Sequence, residues 1–192
     1  MTRPLVAAIR PTLLVLALAL AASPVFAQAP PAAADTANPL MTTVKQLYEG
    51  VVRNVAESAE KVPEEVYAFK PSPDVRTFGE QIGHVTESLS AYCARAVGKP
   101  APLIEVERTK KTKAELIGAL KEARGYCDGV YGSMTDADAM KPIKMGQNEA
   151  PAVRLLIANI SHANEHYGNL VTYMRIKGIV PPSTERAQQM RR

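Results

Sequence analysis

Through four long stretches of this chain apolar residues return every three or four positions, the period of helices that bury one face. Leu40, Val44, Leu47, Tyr48, Val51 and Val55 predict a first helix from Pro39 to about Lys61, with Asn38 as N-cap and Pro39 in the first helical position. Phe78, Ile82, Val85, Leu89, Tyr92 and Ala96 predict a second, ending near Val97 and opened by Thr77-Phe78-Gly79-Glu80, a capping-box spacing. Thr112-Lys113-Ala114-Glu115 repeats that spacing ahead of a third stripe, Leu116, Leu120, Ala123, Cys127, Val130 and Met134. The fourth starts at Pro151, runs through Val153, Leu156, Ile160, Ala163, Tyr167, Leu170 and Met174, and stops at Gly178 before Pro181-Pro182. A turn over 63–67, a loop over 70–74, an aperiodic segment over 98–111 and a polar loop over 135–148 separate these helices. None of the separating segments reads as a strand, and the polar tail 183–192 is expected to fray. Four amphipathic helices make an all-α four-helix bundle the expected architecture, over residues 39–182.

The first residues follow another pattern. Arg3 and Arg10 precede an apolar run from Leu13 to Ala22, then Ser23-Pro24 breaks it and Val25-Phe26-Ala27 offers small residues at the −3 and −1 positions. This predicts a signal peptide over 1–27, too short for a comfortable membrane span, followed by an Ala/Pro-rich linker over 28–38. The residue directly after the cleavage point is Gln28 and not a cysteine that could carry a lipid, so the expectation is a periplasmic or secreted protein with no stable membrane anchor after cleavage. The formal charge of +4 falls to +2 when Arg3 and Arg10 are removed. That near balance gives no support to nucleic-acid binding, which needs a strongly basic face.

Candidate chemistry rests on the three histidines. His162 and His166 stand four apart on the fourth helix, where Cβ atoms of i and i+4 residues are about 5–6 Å apart and both rings can reach one ion. At about 100° per residue, His84 sits on a flank of the second helix's stripe, and His162 and His166 sit on the flank displaced in the same sense. Such flanks face each other when the two helices run antiparallel, so three imidazoles converge on a site with coordination positions left open. A single histidine on a helix flank is more often a solvated side chain than a ligand, and an isolated HxxxH is a weak signal.

Phe78-Gly79-Glu80-Gln81-Ile82-Gly83-His84-Val85, and His162 through Arg175 with the ending Gly178-Ile179-Val180-Pro181-Pro182, resemble the DinB/YfiT-like superfamily. The resemblance covers Pro39 to Pro182. It implies an up-down-down-up four-helix bundle that binds a divalent metal, Zn or Ni first, through His84, His162 and His166. Characterised members of that superfamily carry out metal-dependent thiol chemistry, including thiol S-transfer and a thiol-dependent isomerisation, and many have no known reaction. Export of this chain sets it apart from a cytoplasmic thiol cosubstrate. With the second and third helices parallel, as the resemblance implies, segment 98–111 must travel back about 30 Å, and it reaches about 46 Å when extended. Parallel helices also place Cys93 and Cys127 at similar heights, so a disulfide between them is expected in an oxidising compartment; two buried free cysteines are the alternative.

Around the histidines, Gln81, Ser88 and Asn169 are candidates to orient a ligand ring or bind substrate. Glu165 is the candidate general base, although a solvated carboxylate is an equally good reading. Gly83 and Gly168 are candidates for close helix approach, and Tyr173 reads as packing. His162-Ala163-Asn164-Glu165-His166 also matches the HxxEH form of inverted zinc peptidases, which need a further carboxylate ligand far downstream; only 26 residues follow His166. No CxxCH motif is present, which disfavours attached haem. Two functions remain: a metal-dependent enzyme, transferase-like or hydrolase-like, acting on a small molecule such as a thiol, or a non-catalytic metal-binding bundle that serves as a binding or structural module. A homodimer is compatible with either.

Overall fold

The computed structural model describes residues 37–192. The signal-peptide reading and the linker up to residue 36 lie outside the described residues. Four long helices form the bundle: α1 (Pro39–Lys61), α2 (Phe78–Ala96), α4 (Lys113–Ser133) and α6 (Val153–Ile176). Two short helices, α3 (Val106–Thr109) and α5 (Asp136–Ala139), lie in the connections, and α7 (Pro182–Gln189) follows the bundle. Among the described residues no helix is long and apolar enough to cross a membrane.

Both capping boxes form. Thr77 Oγ1 accepts from Glu80 N while Glu80 accepts from Thr77 N, and Thr112 and Glu115 do the same at α4. At the far end of α6, Gly178 takes a left-handed backbone (φ 69°), which lets Ile179 N–H donate to Met174 and Gly178 N–H to Arg175. That pairing satisfies carbonyls the helix would otherwise leave open. Asn38 stands at the N-cap of α1 as expected, with its carbonyl accepting from Thr42 N, but its side chain makes no cap hydrogen bond. The carboxylate of Asp136, on α5, accepts from Leu40 N and Met41 N instead, and Asn38 Oδ1 accepts from Asp136 N.

Contacts along the helices fix their directions. Gln81 and His84, early in α2, meet His166, late in α6, whereas Cys93, late in α2, meets Asn159, early in α6; the two helices are antiparallel. Cys93 and Cys127 are joined by a disulfide with Cα atoms 5.6 Å apart, and Gly79 lies against Leu116, so α2 and α4 run parallel. Tyr48 stacks on Tyr131 while Lys113 reaches the carbonyl of Val62, which makes α1 and α4 antiparallel. The result is the up-down-down-up bundle. Its core contains Tyr48, Val52 and Val55 of α1, Phe78, Ile82 and Leu89 of α2, Leu116 and Leu120 of α4, and Leu156, Leu170 and Met174 of α6.

Three sequence expectations change. Val44, Tyr48, Val51 and Val55 are buried as expected, but Leu40 and Leu47 are exposed and Met41 and Val52 are buried, so the buried face of α1 is shifted toward one edge of the expected stripe. The polar loop before α6 contains an antiparallel hairpin, β1 (Pro142–Met145) with β2 (Asn148–Pro151), closed by Gly146-Gln147 with Gly146 left-handed. The tail expected to fray begins as α7. Arg186 bonds Glu57 and Asn54 of α1, Lys61 pairs with Glu185, and Ser183 Oγ accepts from Tyr167 at 2.7 Å.

Candidate metal centre

Antiparallel packing of α2 on α6 brings one histidine of the first against two of the second. His162 Nε2 lies 3.2 Å from His84 Nε2 and 3.2 Å from His166 Nε2, and one ligand atom from each ring falls within 4.8 Å of the others. His166 is buried, and His84 and His162 are half-buried. On their outer sides the rings meet different partners. His166 Nδ1 is 2.8 Å from Gln81 Oε1, with Asn169 Nδ2 at 3.5 Å. His84 Nδ1 is 3.3 Å from Glu107 Oε2 on α3. His162 Nδ1 is buried and finds no hydrogen-bond partner among the described residues.

An amide oxygen only accepts, so Nδ1 of His166 carries the proton and its Nε2 turns a lone pair toward the centre; His84 Nδ1 faces the Glu107 carboxylate, and His162 Nδ1 faces no partner among the described residues. Burial and then the neighbouring imidazoles hold His166 down to about 4, well below its ordinary value. His162 is lowered by burial and by His84. His162 and His166 are therefore held toward the neutral form, in which an imidazole can donate a lone pair to a cation. A tetrahedral ion with bonds of about 2.0–2.1 Å separates its nitrogen ligands by about 3.3 Å, close to the two spacings observed. Three protein donors also leave at least one position for another molecule.

The sequence profile of the DinB superfamily matches residues 46–170, most of the bundle. The chain belongs to the DinB superfamily. Its bundle is similar to a DinB-like protein from Bacillus cereus, with TM-score 0.64 and 15% identity, over 72% of this chain and 93% of that one. It is also similar to the DinB-like protein YjoA from Bacillus subtilis, with TM-score 0.60 and 19% identity, over 71% and 92%. At these identities the likeness is one of fold. No curated protein matches the chain.

In this DinB superfamily protein His166, alone of the three histidines, lines a groove of about 570 Å³, whose wall also includes Arg76, Gln81, Glu107, Glu165 and Asn169. Gln81 and Asn169 thus stand where a ligand ring can be oriented. Glu165 is exposed on the cavity wall; its charge acts on His162 and His166 from a distance, opposing the downward pull of burial. Ser88 is half-buried one turn beyond His84. Tyr173 donates to the Arg76 carbonyl at 2.8 Å and packs edge-on against Phe69, so it ties the loop before α2 to α6. Of the two glycines, only Gly83 is required for space: a Cβ there would lie 2.7 Å from Glu107 Cα, whereas one at Gly168 would meet nothing within 4 Å.

Sequence reasoning missed Glu107 and Arg76. The signal at hand was the pair Gly83-His84, a residue without a side chain beside a candidate ligand, which marks a place where another backbone comes close. A cavity of similar size, about 580 Å³, lies between α1, α4 and α7, has no histidine in its wall, and has rim charges that pair with each other, as Lys121 does with Glu60.

Proposed function

We propose that this DinB superfamily protein is a divalent-metal-dependent enzyme, with His84, His162 and His166 as ligands and a small molecule as substrate. The observation that carries the reading is the convergence of three imidazole Nε2 atoms, with His166 on the wall of a groove large enough for a small ligand. When bound, a divalent ion such as Zn or Ni supplies positive charge that polarises a ligated oxygen or sulfur and lowers its pKa. The chain's own residues do the rest. Gln81 and Glu107 hold the rings of His166 and His84, burial disfavours protonation of His162 and His166, and Glu165 on the cavity wall takes up a proton released by the substrate.

Transfer or hydrolysis on a thiol-bearing substrate is the first reaction class to examine. We further place the mature chain, beginning after Ala27, in the periplasm or outside the cell, a reading supported by the leader-like sequence and by the Cys93–Cys127 disulfide. The partner is then a small molecule rather than nucleic acid. Metal content of the purified mature protein, followed by a screen of thiols with electrophiles before and after chelation, tests the proposal. Metal-dependent turnover supports it. Stoichiometric metal with no position exchangeable for azide or thiol supports instead a non-catalytic metal-binding module.

A further inference from the structure

The connection between α2 and α4 does more than return the chain along the bundle. Its last part, α3, lies on α2 directly beside the histidine cluster, and several features fix it there. Glu105 holds a left-handed backbone (φ 56°), a conformation uncommon for a residue with a side chain of its kind. Val106 is buried, and Glu107 N–H donates to Glu87 Oε1 at 3.1 Å. The backbone at Glu107 passes so close to α2 that only a glycine fits at position 83. Glu107 is thereby presented with one oxygen on Arg76, whose Nε donates to Oε1 at 2.8 Å, and the other 3.3 Å from His84 Nδ1. Arg76 is itself tethered, because its carbonyl accepts from Tyr173 on α6.

We propose that Glu107, held by Arg76, is the positioning carboxylate of the metal centre, fixing the tautomer and ring orientation of His84 so that Nε2 faces the ion. The inference rests on the three-histidine reading above. Glu107 does not touch the ion; it acts through His84, as Gln81 acts through His166. The two outer partners differ in charge, carboxylate on one ring and neutral amide on the other. The strained turn at Glu105 and the missing side chain at Gly83 then have a common purpose, to bring a carboxylate from a connecting segment against one ligand.

The test uses the full mature protein, stripped by chelation, in wild-type form and as Glu107→Ala and Glu107→Gln. Zn²⁺ affinity is measured by calorimetry against a competing chelator, and Co²⁺ loading is followed by visible absorption. Loss of such a partner typically weakens metal binding about 10–100-fold, and that is the loss expected for Glu107→Ala, together with a shifted Co²⁺ spectrum. Glu107→Gln keeps an oxygen that accepts from His84 Nδ1–H and is expected to recover most of the affinity and the wild-type spectrum. The metal-free melting temperatures of all three forms are expected to agree closely, since the Glu107 side chain is 28% exposed and paired at the surface. An affinity within twofold of wild type and an unchanged Co²⁺ spectrum for Glu107→Ala overturn the inference while leaving the three-histidine site intact. A weakening that Glu107→Gln fails to rescue and that follows a lowered melting temperature overturns it in favour of a structural role. A wild-type chain that takes up no metal overturns the three-histidine reading and this inference with it.

Discussion

Helix α2 carries two polar clusters against α6, about 13 Å apart along the helix axis. Late in α2, Cys93 is bonded to Cys127, and Asn159 Nδ2 lies 3.3 Å from Cys93 Sγ. Both cysteines are fully buried and Asn159 is nearly so. Near the start of α2, the Nε2 atoms of His84, His162 and His166 come together, with His166 on the wall of an open groove. The sulfur cluster is chemically complete: its bond is made and its sulfurs do not titrate. The histidine cluster has no covalent link, and each ring offers one ligand atom within 4.8 Å of the others. One cluster locks the bundle, and the other is its candidate metal site.

The sharpest way to break this contrast is to remove a ligand. Since loss of an outer partner costs about 10–100-fold in metal affinity, His162→Ala should cost more than about 100-fold while leaving the disulfide formed. Calorimetric titration and a thiol assay on the same sample would show it, and undiminished affinity would remove His162 from the ligand set. The converse change, Cys93→Ala with Cys127→Ala, opens a loop closed over a separation of 34 residues. Chain entropy puts the loss at about 3.8 kcal/mol at most, read by denaturant unfolding, with metal affinity nearly unchanged.

A third test uses pH. The unfolded chain protonates His166 near 6.5 but the folded, metal-free chain only near about 4, so as pH falls the unfolded state takes the proton first. The stability associated with His166 is complete above about 6.5 and is lost on descent toward about 4. Denaturation midpoints of the metal-free protein should fall through that window, and less steeply in His166→Gln. Equal slopes would contradict the burial of this ring. The smallest change is Asn159→Ala, which removes a weak bond to sulfur and one side chain's packing. About 1 kcal/mol of stability should go, with no effect on metal.

How much of this was legible in the sequence follows from the range of the forces involved. The capping boxes at Thr77 and Thr112 and the stop at Gly178 are local, and they form as read. The helical flanks of His84, His162 and His166 were legible because a helix fixes angular position residue by residue. One edge of the α1 face was misread, because Leu40 and Leu47 are as apolar as Met41 and Val52 and only the packing of neighbouring helices chooses between them. The hairpin escaped because Ile143 and Met145 alternate with polar residues for only four positions. Asp136 on α1, Arg186 on Glu57 and Glu107 beside His84 link residues far apart in sequence, and no periodicity carries such contacts.

The central claim is that three imidazoles hold one divalent ion and leave it accessible. X-ray absorption at the metal edge of the loaded mature protein measures this directly. The account predicts one ion per chain with three imidazole nitrogens at about 2.0–2.1 Å and a further light-atom ligand that azide or a thiol replaces. An ion with fewer than three imidazole ligands, or one whose first shell is unchanged in His84→Ala, would contradict it.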